Sequence, residues 1–142
     1  MSPAPAPRVA EGVPPYSPLR SRRGSDLGRD GESAAARHLA ALGCRILRRR
    51  YRTRAGEVDL IVEERGTLVF VEVKARSSLG CGRPSEAVDR RKRSRIARAA
   101  ALYLLEEGGP DRPCRFDVVE VLERPDGGLC PFWIRDAFRA GE

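Results

Sequence analysis

Gly56-Glu57-Val58-Asp59-Leu60-Ile61-Val62, a short polar break, and then Leu68-Val69-Phe70-Val71-Glu72-Val73-Lys74-Ala75-Arg76 are the residues that decide the fold. Both runs are β-branched and aliphatic, and both alternate. Glu57, Asp59 and Ile61 point one way, with Val58, Leu60 and Val62 opposite. In the second run Val69, Val71 and Val73 share one face, with Phe70, Glu72 and Lys74 on the other. Period-2 alternation marks two strands with one face in a core. Residues 63–67 are short, polar and contain Gly66, which closes the strands into a hairpin.

Asp59, Glu72 and Lys74 stand out in these apolar strands, because strand interiors disfavour Asp and, less strongly, Glu and Lys. Two carboxylates on neighbouring strands repel each other unless a proton or a cation lies between them. A hard dication such as Mg2+ takes oxygen ligands and is usually held by one or two carboxylates plus substrate phosphate. Lys74 lies on the same face as Glu72, within reach of a water beside the metal or of the phosphate. The plain alternative is a solvated hairpin face with a Glu–Lys pair, worth at most about 1 kcal/mol. Composition adds a second argument. Of 27 Lys and Arg residues only Lys74 and Lys92 are lysine, so arginine is the default cation. A lysine at 74 suggests a place where a planar, permanently charged guanidinium would not serve.

The 142 residues suffice for one domain with a real core. A net charge of +7 suits a polyanionic partner, nucleic acid before an acidic membrane surface. Cys44, Cys81, Cys114 and Cys130 are far apart and His38 is the only histidine, which argues against zinc. With no charged-then-apolar leader and no apolar run of about 18 residues, a cytoplasmic protein with reduced cysteines and no membrane span is expected.

Residues 1–27, rich in Pro, Ala and Arg, read as a disordered tail before a single domain over 28–142. Ala34, Ala35, Leu39 and Leu42 predict a helix from Gly28 to Gly43, with Gly43 as its left-handed stop. Asp30 and Glu32 fall in its expected first turn. Glu32 then reads either as a partner of the helix dipole or as a carboxylate aimed at the hairpin. Residues 44–52 predict a first strand, antiparallel to the Glu57 strand. Its arginines suit either phosphate binding or protection of a sheet edge. Residues 77–84 read as a loop. Ser85 is the expected N-cap of a helix over Glu86–Glu107, whose buried stripe is Val88, Ile96, Ala99, Ala100, Tyr103 and Leu104. Arg90, Arg91, Lys92, Arg93, Arg95 and Arg98 crowd its first half, more cations than solubility requires, and predict contact with a phosphate backbone. Residues 115–121 form a fourth strand, parallel to the third through a right-handed crossover. Phe132-Trp133-Ile134 is a short strand or edge segment, with Trp133 as packing, and Phe138 caps the core.

This order, a mixed α/β sheet flanked by helices in an αβββαβ arrangement with Asp on the second strand and Glu-x-Lys on the third, resembles the PD-(D/E)xK nuclease superfamily and its restriction-endonuclease-like core. More closely, Gly31-Glu32, Gly56-Glu57-Val58-Asp59-Leu60-Ile61, Val69 to Arg76, Glu86-Ala87-Val88, Arg91-Lys92 and Arg115-Phe116-Asp117-Val118-Val119 resemble the YraN family, uncharacterised protein family 0102, whose fold is similar to Holliday junction resolvases. The resemblance implies that Asp59, Glu72 and the Val73 carbonyl bind Mg2+ or Mn2+, that Lys74 is the catalytic lysine, and that Glu32 is the acid of the first helix. Glu57 belongs to the family's own Gly-Glu-x-Asp signature and is an accessory candidate. Ala75 stands where the family commonly has Thr or Ser, so a hydroxyl contact is missing there. The implied function is a metal-dependent nuclease on DNA, on branched or damaged structures, with Arg50, Arg76, Arg91, Lys92 and Arg95 binding nucleic acid and a homodimer as the resolvase-like assembly. The rival is a non-catalytic nucleic-acid-binding protein with a nuclease-like fold.

Overall fold

The two-residue connection Arg65-Gly66 fixes the central hairpin. Both residues have positive φ, 51° and 85°, the twist that matches flanking strands. In the computed structural model, which describes residues 24–77 and 89–141, this hairpin joins β2 (Glu57–Glu64) to β3 (Thr67–Ser77), with Leu60 opposite Val71 and Glu64 opposite Thr67. Helix α1 (Gly24–Ala41) and β1 (Arg45–Arg52) precede it; helix α2 (Arg90–Tyr103), β4 (Cys114–Glu123) and β5 (Leu129–Phe138) follow. The sheet order is β1-β2-β3-β4-β5. Of these four neighbouring pairs β3 and β4 run parallel and the other three antiparallel. This is the α/β, restriction-endonuclease-like αβββαβ core, extended by β5.

The alternating faces build two cores. On one side Ile61, Leu68, Phe70, Phe116 and Val118 pack against Ile96, Ala99, Ala100 and Tyr103 of α2, and Phe138 stacks on Phe116 at 5.1 Å. On the other, Leu60, Val62, Val69, Val71, Val119 and Val121 meet Ala34, Ala35, Ala36 and Leu39 of α1. Val58 joins the first cluster beside its register partner Tyr51, not Leu60 and Val62 as strict alternation expects. The neighbouring strand departs from the pleat there: Arg50 adopts a left-handed φ of 54°.

Several boundaries differ from the sequence reading. Helix α1 begins at Gly24, so residues 24–27 are helical, and the rest of the expected tail lies outside the described residues. The first-turn acid is Asp26, and Glu32 sits too deep in α1 to feel a dipole that fades within one turn. Leu42, expected in the buried stripe, is exposed beyond the helix end, while Gly43 does stop it at φ 99°. The N-cap of α2 is Asp89, whose side chain accepts the Lys92 N–H at 2.8 Å. Ser85 and Val88, like residues 78–84 and Cys81, lie outside the described residues. The helix closes in a π turn, Leu104–Gly108, ended by Gly109. The short segment expected around Trp133 is a ten-residue edge strand. Among the described residues no helix is long and apolar enough to cross a membrane.

Candidate metal and nucleic-acid site

Two features bring α2 over the carboxyl-bearing strands. Its apolar stripe is drawn to the sheet, and Gly56 lets it come close: a Cβ there would lie 2.3 Å from the Arg95 carbonyl oxygen. Between α2 and the strands opens a cleft of about 330 Å3 lined by Glu57, Asp59, Glu72, Asp89, Arg91, Lys92, Arg95 and Ile96.

Asp59 and Glu72 share this cleft. Asp59 Oδ2 accepts the Val73 N–H at 2.8 Å, which ties the carboxyl to β3 where the β2–β3 ladder ends. Glu72 is 3 % exposed. Burial, then the Glu72 carboxylate, push the Asp59 carboxyl up to about 8 against the opposing pull of the Val73 N–H; Glu32 adds to the rise. Asp59 therefore keeps its proton at neutral pH, which relieves its repulsion from Glu72. Lys92 reaches down from α2 to ion-pair with Glu72. Burial alone would lower its ammonium, but Glu72, Asp59 and Asp89 offset this and hold it above its ordinary value.

The remaining sequence candidates are placed around the cleft. Glu57 is exposed at its rim and pairs with Arg52 at 3.0 Å. Glu32 pairs with Arg50 Nε at 2.7 Å and does not line the cleft, though its charge is felt at Asp59. Lys74 and Arg76 line a second recess, of about 220 Å3, with Glu120, Val121, Leu122 and Phe132. Lys74 lies opposite Glu120 in the β3–β4 register. Arg91 and Arg95 border the acid cleft beside Lys92. Sequence reasoning assigned Lys92 only to phosphate contact and missed that it meets Glu72. Its signal was being the second of two lysines in an arginine-rich chain. Asp89, three residues before Lys92, was also missed as the cap.

The donor set suits a hard dication. Asp59 and Glu72 offer carboxylate oxygens that repel without a countercharge. Among the described residues no group of three or more His, Cys, Asp and Glu side chains is poised for a metal. Mg2+ needs no such cage, since it keeps several waters and takes one or two carboxylates plus phosphate. A different acid plays a purely structural part. Asp117, fully buried, accepts from Arg115 Nε at 3.0 Å, Trp133 Nε1 at 2.8 Å and the Asp136 N–H at 2.8 Å. It pins β5 to β4, so Trp133 is committed to the fold.

The family model described as "Uncharacterised protein family UPF0102" matches residues 31–121, a span containing Glu32, Asp59, Glu72, Lys74 and Lys92. The chain is 52% identical over 114 residues to a UPF0102 protein of Symbiobacterium thermophilum, covering 80% of this chain and 97% of that protein. It is 53% identical over 96 residues to a UPF0102 protein of Chlorobaculum tepidum, covering 68% and 74% of the two chains. A UPF0102 protein of Frankia casuarinae is 48% identical over 112 residues, covering 79% and 95%. By the length and identity of these matches, the chain belongs to uncharacterised protein family UPF0102.

Proposed function

We propose that the protein is a metal-dependent nuclease that hydrolyses phosphodiester bonds in DNA, with branched or damaged DNA as its substrate. The observation that carries this reading is that Asp59 and Glu72 line one cleft, where burial first and the Glu72 carboxylate second push the Asp59 carboxyl up to about 8. Two acids held together cost the fold stability, and a dication bound between them would offset that cost. Asp59, Glu72 and the Val73 carbonyl would hold Mg2+ or Mn2+. The ion would polarise the phosphate and acidify the attacking water.

The chain's own residues supply the rest. The Val73 N–H orients Asp59. Arg91, Lys92 and Arg95 draw the DNA backbone to the cleft mouth, and Arg76 extends that field along the sheet, whereas Arg50 is taken up by Glu32. Glu32, fixed by Arg50, adds negative potential that helps retain a cation. An ammonium beside the acids would stabilise charge developing on phosphorus; the family resemblance gives this role to Lys74, whose side chain lines the second recess. In the hydrolysis a water oxygen bonds to phosphorus and one ester P–O bond breaks. One water proton ends on the departing hydroxyl and the other on the new phosphate monoester. The resolvase resemblance extends the proposal to a homodimer acting in the cytoplasm.

Cleavage of branched, nicked and single-stranded DNA with and without Mg2+ tests this. Activity should depend on the ion and disappear in Asp59→Ala; a fully active Asp59→Ala removes the assigned site. The second reading, binding without turnover, is favoured by Arg90, Arg95 and Arg98, which are exposed and have no carboxylate partner among the described residues. It expects no cleavage, and affinity that survives Asp59→Ala.

A further inference from the structure

The chain's two lysines are not equivalent. Lys74, in the strand motif, lines the recess beside Glu120 and Phe132. Lys92 is the lysine that lines the acid cleft, and its Nζ is on Glu72 Oε2. The placement of Lys92 is built into the fold. The Asp89 cap starts the helix three residues earlier, and Gly56 admits the helix backbone at Arg95 one turn later. Glu72 is 4 % exposed at its side chain, while Lys92 is 52 % exposed. Lys92 thus links a buried acid to solvent, a position from which its ammonium can meet an entering phosphate.

On the basis of the nuclease reading above, we infer that Lys92, supplied from α2, is the working ammonium of the site: it neutralises Glu72 while no dication is bound, and turns to the substrate phosphate once a dication takes that carboxylate. One carboxylate cannot fully serve two cations, so metal and ammonium compete for Glu72. The long, flexible and half-exposed lysine side chain can turn outward without moving the helix. Lys74 then holds the nucleic acid farther along β3.

The test pairs Mn2+ binding, measured by calorimetry on the full chain without DNA, with Mg2+-dependent cleavage of branched DNA. Lys92→Met keeps the stem and removes the charge. It should bind Mn2+ roughly three- to tenfold more tightly, the range expected from removing a half-exposed competing charge. Its cleavage should fall by about a hundredfold, as for loss of one transition-state donor. Lys92→Arg should return Mn2+ affinity to the wild-type value. Lys74→Met should weaken DNA binding without changing Mn2+ affinity. Wild-type Mn2+ affinity in Lys92→Met overturns the inference, as does a Lys92→Arg protein that matches Lys92→Met. Absence of both Mn2+ binding and cleavage in the wild type overturns the nuclease reading itself, and the inference with it.

Discussion

At the scale of single residues, Asp59 works against the fold that holds it. Its carboxyl titrates near 8 in the folded chain and at 3.8 in the reference state. Between those values the unfolded chain has released the proton and the folded chain has kept it. Stability therefore falls as pH rises from about 4 to about 8 and levels off above. Asp59→Asn keeps an oxygen for the Val73 N–H and removes the titration. At pH 7 it should be more stable than wild type by on the order of 1–3 kcal/mol, with a melting temperature several degrees higher. The gain should vanish near pH 4. Thermal melts across pH in EDTA read this directly, and a less stable Asp59→Asn at pH 7 would mean that the acid is ionised and favourably paired. Mn2+ should narrow the difference from the wild-type side, because a ligand that binds only the folded state stabilises it.

At the scale of elements, the contact that makes the site is α2 against the start of β2. Gly56 does not need a glycine's dihedral freedom, since its φ is not positive; it needs the missing Cβ. Gly56→Ala would press a methyl onto the Arg95 carbonyl. The helix must lift, at about 1–3 kcal/mol, and Lys92 moves away from Glu72 with it. Both melting temperature and DNA affinity should drop. Gly28→Ala in α1 is the control: its Cβ meets nothing within 4 Å, so the substitution should raise stability by up to about 1 kcal/mol. An unaltered Gly56→Ala would show that α2 is not held this closely. The sequence already showed the hairpin, the parallel crossover and the stripe Ile96, Ala99, Ala100 and Tyr103, because burial imposes a period that can be counted. It also brought Asp59 and Glu72 to one face. It hid what depends on pairing across distance. Glu32 looked like a dipole partner because Gly24 and Gly28 concealed the true helix start. Asp89 and Ser85 are N-cap residues of equal rank, so the local pattern does not choose between them, and the structure places the cap at Asp89. The Lys92–Glu72 contact joins a helix to a strand and leaves no local pattern. The length of β5 depends on Asp117 gripping the Asp136 N–H where φ turns left-handed, at 50°.

At the scale of the whole molecule, the net charge of +7 is unevenly used. The arginines of β1 are exposed but lie against partners: Arg45 near Glu63, Arg48 to Glu107, Arg49 to Ser33 at 3.0 Å, Arg50 to Glu32 and Arg52 to Glu57. Arg115 and Arg135 share Glu64 across the sheet. Arg91, Arg95 and Arg98 recur at i, i+4 and i+7 on α2, one exposed stripe beside the acid cleft. A polyanion should therefore dock on α2 and not on the more arginine-dense β1. The distinction is measurable, because each phosphate neutralised by a protein cation contributes about 0.9 to the slope of log affinity against log salt on duplex DNA. Replacing Arg95 and Arg98 together by Gln should reduce that slope by about two and weaken binding uniformly across sequences. Replacing Arg48 and Arg52 by Gln should leave it nearly unchanged, since those guanidiniums already have carboxylates. Fluorescence anisotropy with labelled duplex between low and physiological salt separates the two pairs. If the β1 pair carried the slope, DNA would lie across the edge of the sheet, away from Lys92, and the cleft would face solvent instead of a phosphate.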